Sequence, residues 1–281
     1  MSVLAAALAL GSSLVYGVSD FLGGLKSRSL PLLSVLLVSQ GTALVLLGVA
    51  YVLFAGEPPD SEYLAYALVA GVAETVGAAA LYRGLAVGTM GIVAPVAACA
   101  PAVPVVAAAL LGELPDPEQR AGIVLALAGV VLISLERRPR VGGRTARSSV
   151  LFGLLTALGF GAFLTAMDAA SEGSVFWALL VARLVTVGTF AAVFALRRQP
   201  LAVPGAELPA LASVGVLVLA ADALYATATT HGLLSVVAVL GSLYPVVTIA
   251  LAHFYLHERL GRVQQLGVAV TLVGAIAISA A

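Results

Sequence analysis

The chain has 281 residues, of which 61% are hydrophobic and only 10% charged, and its mean hydropathy is +1.10. Soluble domains carry about 25% charged residues, so a water-soluble fold is excluded: too much apolar surface would meet water. Basic and acidic residues balance at 14 each, which excludes the basic face that a nucleic-acid partner needs.

Apolar runs long enough to cross hydrocarbon, about 18 residues or more, recur along the chain. They are continuous, not alternating, which points to helices rather than to a membrane barrel. The fold class predicted is an all-α membrane protein with ten transmembrane helices, near 3–25, 30–54, 63–87, 90–111, 119–135, 149–170, 175–196, 208–231, 234–256 and 263–280. The first run lacks a basic leader and reads as a span rather than a cleaved signal; it carries Tyr16, Gly17 and Asp20. Gln40 lies in the second span, Glu74 and Tyr82 in the third, and Pro95, Cys99, Pro101 and Pro104 in the fourth. The prolines should bend that span. One cysteine excludes disulfides and cysteine-rich metal sites. After the fifth span a basic linker, 136–148, separates a first unit, 1–135, from a second, 149–281. Asp168 and Trp177 come at the end of the sixth span and the start of the seventh; Arg183 lies within the seventh, Asp222, Tyr225 and Thr229 in the eighth, and Tyr244 and Pro245 in the ninth.

Loops opposite the amino-terminal side hold twelve basic residues, including Lys26, Arg28, Arg83 and an arginine cluster between 137 and 147, whereas the amino-terminal side holds Arg120. Basic loops stay cytoplasmic, so both termini are expected outside the cytoplasm, in the cytoplasmic membrane of a prokaryote.

The two units repeat one another. Glu113, Gln119, Gly122, Gly129, Ile133 and Ser134 recur 145 residues later as Glu258, Gln264, Gly267, Gly274, Ile278 and Ser279. Leu81-Tyr82 recurs as Leu224-Tyr225 and Gln40 as Arg183 at an offset of 143, and Tyr16-Gly17 as Phe160-Gly161 at 144. Five spans per copy is an odd number, so the second copy enters from the opposite face and the halves are predicted to be inverted. Secondary transporters recurrently use this plan.

On these residues the chain resembles the EamA branch of the drug/metabolite transporter superfamily. The likeness is densest in prolines of the fourth and ninth spans, a following Gly112-Glu113, then Gln119, Gly122 and Gly129, with Glu258, Gln264, Gly267 and Gly274 in copy two. His257 stands where the family's glycine is expected. The resemblance implies ten-helix carriers built from two five-helix copies, moving small metabolites, amino acids or drugs, usually outward. No GxxxxGK[ST] loop, and so no ATP site, is present, and no cofactor is expected.

Charges at membrane depth are expensive and mark candidate sites. Glu74 lies about eleven residues into its span, roughly 16 Å at 1.5 Å per residue, near the midplane. No basic residue is expected at its depth, so it reads as a proton- or cation-coupling group or as a neutral structural acid. Arg183 and Asp222 sit at depths agreeing within about a turn, as a permanent ion pair or as a clamp in which Arg183 grips a substrate carboxylate or phosphate. Tyr225 and Thr229 share a face with Asp222. Gln40, Tyr16, Tyr82, Trp177 and Tyr244 are further lining candidates for a small-molecule substrate, though aromatic residues also serve interfaces and packing. Asp20 and Asp168 read as interfacial. His231, His253 and His257 have no metal-ligand spacing. Glu113 and Glu258 read as caps beside the fifth and tenth spans, and the paired glycines of those spans suit helix packing or a homodimer. An intramembrane enzyme would need a ligand set or a nucleophile with its base at this depth, and the sequence supplies neither.

Overall fold

The computed structural model describes residues 2–27, 29–54, 56–87, 90–113, 115–134, 143–197, 203–256 and 261–280. The helices are α1 (Val3–Ser27), α2 (Leu32–Phe54), α3 (Ser61–Val87), α4 (Met90–Ala97), α5 (Ala102–Leu110), α6 (Pro117–Ser134), α7 (Gly143–Gly173), α8 (Val175–Arg197), α9 (Leu208–Thr229), α10 (Leu234–Gly241), α11 (Tyr244–Leu256) and α12 (Arg262–Ala280). No strand occurs among the described residues. Seven of these helices, α1 to α3, α7 to α9 and α12, are long and apolar enough to cross a bilayer.

Two expected spans are broken. The fourth divides at residues 98–101 and the ninth at 242–243. Pro101 caps α5, where its missing N–H costs nothing, and Pro245 sits in the first turn of α11. Short three-residue bonds re-satisfy the freed backbone, among them Cys99 N–H to Val96 O at 3.1 Å and Leu243 N–H to Leu240 O at 3.3 Å. The expected linker is also shortened, since its residues from Gly143 onward already belong to α7, while 136–142 lie outside the described residues.

Many large aliphatic side chains point outward, and many of the buried positions are alanine. Leu110, Leu111 and Leu196 are 83%, 82% and 83% exposed, whereas Ala5, Ala9, Ala43, Ala67 and Ala70 are buried. That is the order expected of helices packed in lipid, where small residues let backbones approach.

The main contacts join one half to the other: α3 packs on α7, α1 on α9, α3 on α8, α2 on α9, α2 on α8 and α6 on α12. They come in repeat-related pairs. Gly71 leaves no room for a Cβ against Ala182 O, at 2.7 Å, and Gly215 lies as tightly against Ser39 O. Gly17 abuts Val247 and Tyr244 O, and Gly161 abuts Val103 and Ala100 O, the same contact transposed by 144 residues.

The repeat glycines of α6 and α12 pack on each other inside one chain. A Cβ on Gly122 would lie 2.9 Å from Gly274 O, and one on Gly267 would lie 2.6 Å from Ile133 N. Gly122 meets Ile278 and Gly129 meets Thr271, so the two helices run antiparallel. The face that suited a homodimer is therefore already occupied within the chain.

The repeated Gln also has a local reason. Gln119 Oε1 accepts from Asp116 N–H at 3.3 Å, and Gln264 Oε1 from Gly261 N–H at 3.0 Å. Each glutamine is the third residue of its helix and reaches back to the cap residue, which is half of a capping box.

Candidate functional site

The site is built around Arg183 on α8. Its Nη1 donates to Gln40 Oε1 and, at 3.3 Å, to Glu74 Oε1; its Nη2 donates to Asp222 Oδ2. Tyr16 OH donates to Asp222 Oδ1, and Thr186 Oγ1 donates to Glu74 Oε2 at 2.8 Å. Arg183 and Asp222 side chains are 4% and 2% exposed, and that of Glu74 is 14% exposed. The network ties α1, α2 and α3 of the first half to α8 and α9 of the second. Removing one partner of such a buried pair leaves an uncompensated charge, costing about 3–5 kcal/mol.

The expected pairing of Arg183 with Asp222 is present. The expectation that Glu74 lacks a basic partner is wrong, for a packing reason that depth counting misses. Gly71, one turn before Glu74, brings α3 into backbone contact with α8 at Ala182, so Glu74 arrives beside both Arg183 and Thr186.

Against this network lies a cavity of about 250 Å³. Tyr16, Gln40, Glu74, Asp222, Tyr225 and Tyr244 line it, as the sequence suggested. Tyr16 and Tyr244 touch, ring centroids 6.1 Å apart, and Tyr225 OH donates to Leu164 O at 3.2 Å. Both helix breaks face the cavity, through Ala98, Ala100 and Pro101 on one side and Ser242, Tyr244 and Pro245 on the other.

Three readings are corrected. Trp177 is absent from the lining and packs edge-on against Tyr51, centroids 5.7 Å apart, and against Phe176. It sits in the first turn of α8, two turns from Arg183, and so is too near the helix end to reach the cavity. Asp20 was expected at an interface but lines the cavity, because α1 continues to Ser27 and Asp20 lies one turn beyond Tyr16 on the same face. Thr229 bonds backward to Ala226 O and to Asp168 instead of reaching the cavity. The side chain of Tyr82 lies outside the described residues, as do Glu258, His257 and the side chain of His253. The lining residues Phe160, Phe163, Phe190 and Thr186 were missed; Phe160 was legible as the repeat equivalent of Tyr16.

One end of the cavity is closed by contacts between the halves. α5 packs against α10, through Ala108, Leu234 and Ala238, whereas among the described residues the repeat-related pair, α4 and α11, makes no comparable contact. Glu113 fastens the closed end. It does not cap α6, as expected, but the start of α10 in the opposite half: Leu234 N–H and Ser235 N–H donate to its carboxylate at 2.9 and 3.0 Å, and the Ser235 hydroxyl donates as well. Gly112 makes this reach. Its φ of +87° and the bonds of Gly112 N–H to Ala109 O (3.2 Å) and Glu113 N–H to Ala108 O (2.9 Å) form a Schellman turn that ends α5 and aims Glu113 outward. The amino terminus lies at the same end, where Ser2 Oγ donates to His231 O at 2.9 Å.

No group of three His, Cys, Asp or Glu fit to hold a metal occurs among the described residues. The model of the EamA-like transporter family matches residues 3–135 and again 147–280. No curated protein matches the chain. A solved structure described only as "Crystal structure of protein" is similar over 97% of this chain and 95% of its own, with a TM-score of 0.78 and 18% identity, a likeness of fold alone.

Proposed function

This chain belongs to the EamA-like transporter family, and on that premise we propose that it is a secondary carrier for a small organic solute, working by alternating access in the direction of export. The observation that carries the reading is the charge network around Arg183, drawn from both halves and set against a cavity fastened between the halves at the Glu113 end. The ten-span reading, with each broken helix pair counted as one span, makes the two units 1–135 and 149–281 inverted copies. The antiparallel packing of the repeat-equivalent helices α6 and α12 supports it.

The distribution of basic residues favours termini outside the cytoplasm of a prokaryotic inner membrane. The fastened end, which carries the amino terminus, then faces outward, and the end bounded by α4 and α11, which make no comparable contact among the described residues, faces the cytoplasm. That is the conformation in which an exporter loads. Arg183 is not among the lining residues and both its Nη atoms are already engaged, which favours a structural ion pair over a grip on a substrate anion. Glu74 is the coupling candidate: its bond to Arg183 can be given up while Asp222 still holds the guanidinium.

The test is counterflow in proteoliposomes loaded with a metabolite library. Saturable uptake accelerated by the same solute inside is expected. Conductance without saturation would instead indicate a channel, and product released from lipid-linked substrates in detergent an enzyme.

A further inference from the structure

The charged residues lining the cavity are Asp20, Glu74 and Asp222. Among the described residues no lysine, arginine or histidine joins them, and Arg183 lies behind the wall with Nη1 and Nη2 both committed. The cavity therefore carries three carboxylates, only two of which meet the guanidinium. Glu74 and Asp222 share that guanidinium and have a hydroxyl each, from Thr186 and Tyr16. Asp20 has no hydrogen bond and no ionic partner among the described residues. An unneutralised carboxylate inside a bilayer is costly and calls for a positive partner.

The walls suit the same charge. Tyr16 and Tyr244, in ring contact, line the cavity together with Asp20, and so do Phe160, Phe163 and Phe190. Aromatic faces attract cations most strongly where water is excluded. A volume of about 250 Å³ is at or below the small end of ligand pockets, which span about 300–1,000 Å³.

We propose that the solute carried is a compact organic cation, an amine or quaternary ammonium, whose charged head sits against Asp20 beside the Tyr16 and Tyr244 rings while its apolar part lies along the phenylalanines. The assignment rests on the carrier reading and names its substrate class. Solutes bearing an anion are rejected because their charge would meet carboxylates and, among the described lining residues, no cation.

The experiment uses three probes of nearly one shape: phenethylammonium, neutral 2-phenylethanol and anionic phenylacetate. Each is titrated against the purified full chain and then tested for counterflow. Phenethylammonium is expected to bind at least tenfold more tightly than either analogue and to exchange saturably. Asp20→Asn is expected to weaken its binding at least tenfold, with thermal unfolding unchanged because Asp20 holds no other group among the described residues, and Asp20→Glu to restore most of the affinity. Binding of phenylacetate or 2-phenylethanol as tight as that of phenethylammonium overturns the proposal. So does undiminished cation binding by Asp20→Asn, or the absence of saturable phenethylammonium exchange. Saturable counterflow of another solute from the library would then leave the carrier reading standing, whereas failure of every solute would remove that reading too.

Discussion

Glu113→Ala tests whether the closed end is held by a carboxylate reaching across the halves. The substitution removes the acceptor for Leu234 N–H, Ser235 N–H and the Ser235 hydroxyl. It also removes the negative charge from the N-terminus of α10. Loss of an N-cap costs about 0.5–2 kcal/mol, and loss of a charge matched to the helix dipole about 0.3–1 more. α10 has eight residues and little helical stability of its own, so the cap matters to its position. Taking about 2 kcal/mol, the ratio of closed to open at this end falls about 30-fold, at 1.4 kcal/mol per tenfold. Ser242 is buried and lines the cavity. In a Cys99→Ala background, Ser242→Cys should react slowly with an impermeant maleimide added on the amino-terminal side. Glu113→Ala should raise that rate by up to about 30-fold. Glu113→Gln keeps one acceptor oxygen and should fall between. An unchanged rate in a normally folded Glu113→Ala protein would refute the fastening role.

Arg183→Met strands Glu74 and Asp222 without their cation and should cost about 3–5 kcal/mol, seen as a lowered Tm in detergent. Adding Glu74→Gln and Asp222→Asn should recover most of the loss, and a triple variant no more stable than the single one would contradict the network. Glu74→Gln alone should preserve folding and counterflow yet abolish accumulation driven by a pH gradient; gradient-driven uptake at the original rate would end the coupling role. Gly129→Leu forces a side chain against Thr271 N and Gly267 O and should destabilise by at least about 1–3 kcal/mol, whereas Gly188→Ala, with nothing within 4 Å of the added Cβ, should be neutral or stabilising by up to about 1 kcal/mol. Thermal unfolding compares the two.

What the sequence made legible was whatever repeats or costs energy to bury. The recurrence of Gly122 and Gly129 as Gly267 and Gly274 foretold close packing, and the structure shows the two pairs meeting. The depths of Arg183 and Asp222 foretold their pairing. Partners set by helix approach were not legible. Counting residues along α3 placed Glu74 alone, because nothing in one sequence says that Gly71 will lie on Ala182. Likewise Glu113 sits before α6 in sequence, where a cap for α6 is the local expectation, but the Schellman turn at Gly112 directs it to α10 instead. The break in the ninth span was hidden because its single proline, Pro245, sits where it is compatible with a helix start.

The scaffold is symmetric, but the charges are not. The helix contacts at Gly17 and Gly161, and at Gly71 and Gly215, transpose from one half to the other. The equivalent of Glu74 in the second copy is aliphatic, Leu217 or Val218, that of Asp222 is an alanine, Ala78 or Ala79, and that of Arg183 is Gln40. A two-ended gate benefits from the first property, because similar contacts at each end hold two conformations close in energy, within the few kcal/mol that keep a minor state populated. A binding site benefits from the second, because one fixed set of charges meets the solute whichever end is open. A fastening of about 2 kcal/mol, the size worked out for Glu113, suits such a device. A contact several times stronger would trap the closed end, and none at all would leave both ends open together. The repeat equivalent of Glu113 is Glu258, so the same reasoning makes Glu258→Ala the mirror experiment: it should leave labelling of Ser242→Cys from the amino-terminal side no faster, and should raise access from the opposite side once the amino-terminal end has opened. Faster labelling from the amino-terminal side in Glu258→Ala would mean that both glutamates serve one end, and the division of the gate between the halves would fail.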